Sequence, residues 1–151
     1  MIVLYCSLVF VCVFFGVSLS KRLSDREKFY LDMQSFLAEF KANLYFRQVK
    51  FQDLVEQEIE TSHFKKFLIS CIKPDVLFEP EYISQKEKDQ AKQIILSLGE
   101  GGINSLEETL AHAERQVNKR LELATFSKQK YSSVAIKLSF FVGLLLVVLL
   151  I

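Results

Sequence analysis

The chain has 151 residues, 50% of them hydrophobic and 25% charged, which bounds it to membrane segments plus one small domain. Its formal net charge of +1 is an average over a partition, because the apolar excess sits at the two ends. Cys6, Cys12 and Cys71 supply neither a disulfide framework nor a metal-binding spacing.

Residues 1–20 contain no charged side chain and are long enough to span a bilayer. A secretory signal carries its basic residues before the apolar core. Here Lys21, Arg22, Arg26 and Lys28 follow it, and Gly16-Val17-Ser18 is a poor cleavage site, so the stretch reads as a retained anchor. Ser24-Asp25-Arg26-Glu27 fits a capping box and predicts that a helix restarts there, with a continuous helix as the rival reading. Phe29, Met33, Phe36, Phe40 and Leu44, with Leu37 beside them, form a helical stripe. A shorter helix is predicted over 48–60 from Phe51, Leu54, Val55 and Ile59. Thr61-Ser62 then marks a boundary before a third stripe at Phe64, Phe67, Leu68 and Cys71.

Pro74 and Pro80 bias their preceding residues away from helix and make 73–82 a loop. Ser84-Gln85-Lys86-Glu87 is a second capping box, opening a helix with Ala91, Ile94, Ile95 and Leu98 inward. Gly99 is placed for a left-handed C-terminal cap, and Gly101-Gly102 prolongs the turn. Asn104 or Ser105 then caps one long helix over 104–151. Its stripe runs through Leu106, Leu110, Ala113, Val117, Leu121, Ala124, Tyr131, Val134 and Leu138. After Lys137 the chain is uncharged, and a span starting at Val134 has adequate length if Lys137 snorkels to the interface.

No strand-like alternation survives, so the fold class is all-α: a compact helical bundle with long antiparallel stem helices, flanked by N- and C-terminal transmembrane helices. The expected division is an anchor over 1–20, a soluble helical domain over 21–133 and a C-terminal transmembrane helix over 134–151. The stem is expected to pack as a coiled coil, with Phe36 and Phe40 filling the seam against the long helix. Basic residues flank both spans on their inner sides, which by the positive-inside rule puts the domain in the cytoplasm.

Chemistry is sparse. Glu108 and His112 share a helix face without an evident third metal ligand, so a solvated polar face is the better reading. The glycines at 99, 101 and 102 lack the strand and the Lys-Ser/Thr of a phosphate loop and read as a turn. The basic stretch 115–137 is better matched to a cytoplasmic leaflet than to nucleic acid. No catalytic residue, metal or cofactor is assigned, and no enzyme is expected. Two other sets stand out. Glu79, Glu81, Glu87 and Asp89, with Glu56, Glu58 and Glu60, make an acidic, membrane-distal region suited to docking a basic partner. Cys12, Gly16 and Ser20 recur every four residues, as do Ser139 and Gly143. Gly16, Ser139 and Gly143 are therefore the candidates for close helix packing in the membrane.

The chain resembles the stage III sporulation protein AB family of spore-forming Firmicutes. The resemblance rests on the N-terminal anchor, Leu37, Leu44 and Leu54 around the first soluble helix, the Leu98-Gly99 turn, and an ending of Lys130-Tyr131, Leu138 and residues 143–151. It implies a non-enzymatic platform in the mother-cell membrane facing the forespore, similar to platform proteins of type II secretion and type IV pilus systems. The implied partners are the lipid bilayer, a secretion-type ATPase like stage III sporulation protein AA, and other stage III sporulation membrane proteins. A homo-oligomer stays open. A platform of a related type II secretion or pilus system is the alternative.

Overall fold

The computed structural model describes residues 2–46, 63–72, 78–100 and 103–150. They form four helices, α1 (Ile2–Phe46), α2 (His63–Ile72), α3 (Gln85–Glu100) and α4 (Ile103–Leu150), with no strand among the described residues. The expected helix over 48–60, the Thr61-Ser62 boundary, Pro74, the turn at Gly101-Gly102 and the acids Glu56, Glu58 and Glu60 lie outside them. The chain divides into two compact units: Met1–Glu27 with Leu123–Ile151, and Lys28–Glu122.

The first unit is an antiparallel helix pair. Its seam is made of small and polar residues: Gly16 faces Ser139, Gly143 faces Cys12 and Val9, and the Ser20 and Ser132 hydroxyls are hydrogen-bonded at 2.5 Å. Large apolar side chains point outward instead: Phe10, Phe14, Phe141 and Val148 are each 65–75% exposed. Both long helices are apolar enough, over sufficient length, to cross a membrane. Such an inside-out arrangement suits lipid, which is as apolar as leucine and leaves close backbone approach as the packing force.

This unit corrects two expectations. Ser24 and Glu27 do not form a cap, because α1 runs through them unbroken and leaves no orphan amide to satisfy. The Glu27 carboxylate instead pairs with the Lys128 ammonium on α4. The expected inward stripe also fails beyond Ala124: Tyr131, Val134 and Leu138 are 49%, 53% and 61% exposed.

The second unit has the core of a water-soluble bundle. Phe29, Met33, Leu37, Ile95, Leu98 and Val117 are almost wholly buried, along with Pro80 in the connection before α3. Phe29 sits in an aromatic cluster, its ring edge-on to Phe64 at 5.3 Å, Phe67 at 5.5 Å and Tyr82 at 6.3 Å. Phe64 and Phe67 of the third stripe thus meet α1, Leu68 is buried with them, and Cys71 is half-buried beside α3 residues Lys88 and Lys92. Phe40 is buried, but Phe36 is only half-buried and meets Phe64 of α2 at 5.7 Å. The aromatic face of α1 is therefore turned to α2, whereas Met33 and Tyr30 share a small cavity with Ala91, Ile94 and Val117. Polar bonds set α1 antiparallel to α4 in this unit. Gln34 Nε2 donates to Asn118 Oδ1 at 2.7 Å, and Lys41 Nζ donates to both Glu114 oxygens at 3.0 and 2.9 Å. Gly99, expected as a cap, lies within α3, which continues to Glu100.

Candidate functional site

The residues singled out in the sequence fall into different settings, and Glu87 is the most changed by folding. It opens α3, where the amides of Glu87 and Lys88 both donate to the Ser84 carbonyl at 3.0 Å. Its Oε2 accepts the Ser84 backbone N–H at 3.1 Å, the reach-back bond of a capping box. The Ser84 hydroxyl also donates to that oxygen, at 2.8 Å, rather than accepting an amide. The other oxygen, Oε1, accepts the Tyr30 hydroxyl at 3.1 Å, and Arg120 Nη1 lies 3.8 Å from it. Arg120 is held by a hydrogen bond from Nη2 to Gln90 Oε1 at 2.5 Å. Glu87 is 7% exposed, so it joins α1, α3 and α4 from inside and offers no docking surface. A buried charge with this many partners is satisfied; deprived of them it would be costly.

Glu79, Glu81 and Asp89 remain at the surface. Glu79 is 71% exposed in its side chain and pairs with Lys88 at 3.3 Å, and Asp89 accepts from Gln85 Nε2 at 3.3 Å. Glu79 and Asp89 line a cleft of about 150 Å³ together with Phe67, Phe78, Cys71, Lys88 and Lys92. The acids there are interleaved with lysines, which the acid-only reading of the sequence overlooked. Burial pushes the Cys71 thiol up from its ordinary range, against smaller opposing pulls from Lys92 and the Ser70 hydroxyl. The thiol is thus a poor nucleophile at neutral pH.

Gly16, Ser139 and Gly143 are brought together with their opposite helix. A Cβ built on Gly16 would lie 2.6 Å from Ser139 Oγ, 2.8 Å from its Cβ and 3.1 Å from the Ala135 carbonyl oxygen. One on Gly143 would lie 3.3 Å from both Cys12 Cβ and Val9 Cα. Only glycine permits the first approach without displacing the facing helix. Glu108 and His112 do not converge on a third ligand. His112 is exposed with Gln116 Nε2 within 3.4 Å, and no group of three metal-ligating side chains occurs among the described residues.

These features define an all-α protein with two helices long and apolar enough to cross a membrane and a second unit with an apolar core and a buried carboxylate at the start of α3. The chain belongs to the stage III sporulation protein AB family, whose model matches residues 75–151, just over half its length. No curated protein and no solved structure matches it.

Proposed function

We propose that this sporulation protein is a non-enzymatic membrane platform of a secretion-like complex between mother cell and forespore. Its two apolar helices cross the mother-cell membrane, and its polar unit lies in the cytoplasm and docks a secretion-type ATPase like stage III sporulation protein AA. The observation that carries this reading is the division of one family member into a lipid-suited helix pair and a water-suited bundle with surface acids. Orientation is supported by Lys21, Arg22, Lys128 and Lys130, which flank the spans on their polar side. Glu79, Glu81 and Asp89 supply exposed acids for a basic partner, and Phe67 and Phe78 supply an apolar lining beside two of them.

Crosslinking in sporulating cells tests this. A photoreactive residue at Glu79 or Glu81 is expected to capture the ATPase, and Glu79→Lys with Glu81→Lys to weaken capture at least fivefold. Each exposed reversal should shift stability by no more than about 0.5 kcal/mol. Unchanged capture would remove this surface from the docking role, and a parallel loss of stability would make it structural.

A further inference from the structure

The helix-pair unit carries Lys21, Arg22, Arg26, Lys128, Lys130 and Lys137 against only Asp25 and Glu27. Glu27 is taken by Lys128. From the Ser20–Ser132 hydrogen bond toward the apolar end, Lys137 is the one charged side chain on either helix. It lies five residues past Ser132, about 7.5 Å deeper at the rise of an α-helix. Both acids of the unit lie on the other side of that bond. Lys137 therefore has no carboxylate at its level, and an ammonium that snorkels from the edge of hydrocarbon comes up among the lipid headgroups, where a phosphate can pair with it.

The helix face around it is exposed and amphipathic. Phe126, Lys130, Lys137 and Phe141 follow one another at helical spacing, all of them exposed. The Lys130 ammonium stands 5.6 Å from the Phe126 ring centre and 5.3 Å from that of Tyr131. Those contacts keep the charge in a belt of aromatic side chains, the composition found at lipid headgroup depth. A phosphate at that depth would meet the Lys130 ammonium, and Lys137, a heptad or about 10.5 Å along the helix, would reach it by snorkelling, while the acyl chains lay against the apolar face around Phe141.

We infer that this face binds an anionic phospholipid of the surrounding bilayer, whose headgroup phosphate is the counter-charge for Lys130 and Lys137. The inference rests on the membrane reading above and adds a ligand to it.

The full chain in a mild non-ionic detergent is offered phosphatidylglycerol or phosphatidylcholine with identical acyl chains, and retained lipid is counted by native mass spectrometry. Wild type is expected to keep phosphatidylglycerol at least fivefold over phosphatidylcholine. Lys130→Gln with Lys137→Gln should erase most of that preference, at about fivefold per lysine. Lys119→Gln, on the same helix but in the other unit, should leave it unchanged. Equal retention of the two lipids, an unchanged preference in the double variant, or an equal loss in Lys119→Gln overturns the inference. Alkaline carbonate extraction separates the two readings. A chain released from membranes overturns both, whereas one that stays but shows no lipid preference overturns this inference alone.

Discussion

Replacing Gly16 by alanine tests the helix-pair seam with a single methyl group. In an unconstrained helix this change is favourable by about 1 kcal/mol, because glycine is the poorer helix former. Here the new Cβ would meet Ser139 Cβ, which no rotamer change can move, at 2.8 Å where ordinary contact begins at 3.4 Å, so the helices must part by about 0.6 Å. Each atom pair that loses contact forfeits about 0.1–0.2 kcal/mol. Overpacking of this kind costs about 1–3 kcal/mol, enough to cancel or reverse the helix-propensity gain. Ser139→Gly removes two of the three obstructing atoms and leaves the Ala135 carbonyl oxygen at 3.1 Å. Alanine at 16 should therefore be tolerated better with glycine at 139. The double-mutant cycle is expected to give a coupling of about 1–2 kcal/mol. Förster transfer between dyes on introduced cysteines at Leu19 and Ile136, with native cysteines replaced, follows helix separation through an SDS titration. Gly16→Ala that stabilises by the full propensity gain, or a coupling below about 0.3 kcal/mol, would refute the close approach.

Glu87→Ala strips partners from Tyr30, Ser84 and Arg120 at once and should cost about 3–5 kcal/mol, against about 1–2 kcal/mol for Glu87→Gln. Hydrogen exchange of the α3 amides should quicken at least a hundredfold in the alanine variant, and less than tenfold would contradict the network. Phe29→Ala, emptying a site that is 0% exposed, should cost about 3–5 kcal/mol, and half-buried Phe36→Ala clearly less. Near-ultraviolet circular dichroism melts compare the two, and equal losses would count against the aromatic cluster. For Cys71, burial raises the folded-state thiol pKa above the unfolded one. Its stabilising contribution is then present below the unfolded pKa and lost as pH rises through the folded value. Alkylation of Cys71 should show a midpoint above that of free cysteine, and a lower midpoint would mean that Lys92 outweighs burial.

The helices were legible wherever apolar spacing met water. The stripe at Phe29, Met33 and Leu37 and the one at Leu106, Leu110, Ala113 and Val117 are buried, because in water the apolar face is the packed one. The same rule misdirects past Ala124. In a lipid-suited pair Ser132 and Ser139 turn inward, and Tyr131, Val134 and Leu138 turn out. The recurrence of small residues every four positions was the better guide to that seam. Capping motifs were equally double-edged. Ser84 and Glu87 gave a real helix start, while the similar Ser24 and Glu27 lie inside a continuous helix whose amides are already bonded. Glu87 looked like one surface acid among several, because Tyr30 stands 57 residues away and Arg120 on another helix. No local pattern announces a partner at that distance.

The two oxygens of Glu87 serve one local and one long-range contact in the second unit. Oε2 is satisfied within three residues, by Ser84, whereas Oε1 waits for a hydroxyl 57 residues away. A turn closed over three residues forms far sooner than contacts that need a long loop to close. The bonds to Ser84 fix the carboxylate on its own helix and leave its other oxygen for α1. A carboxylate already tethered by its own helix loses less rotamer freedom in accepting the tyrosine than an untethered one would.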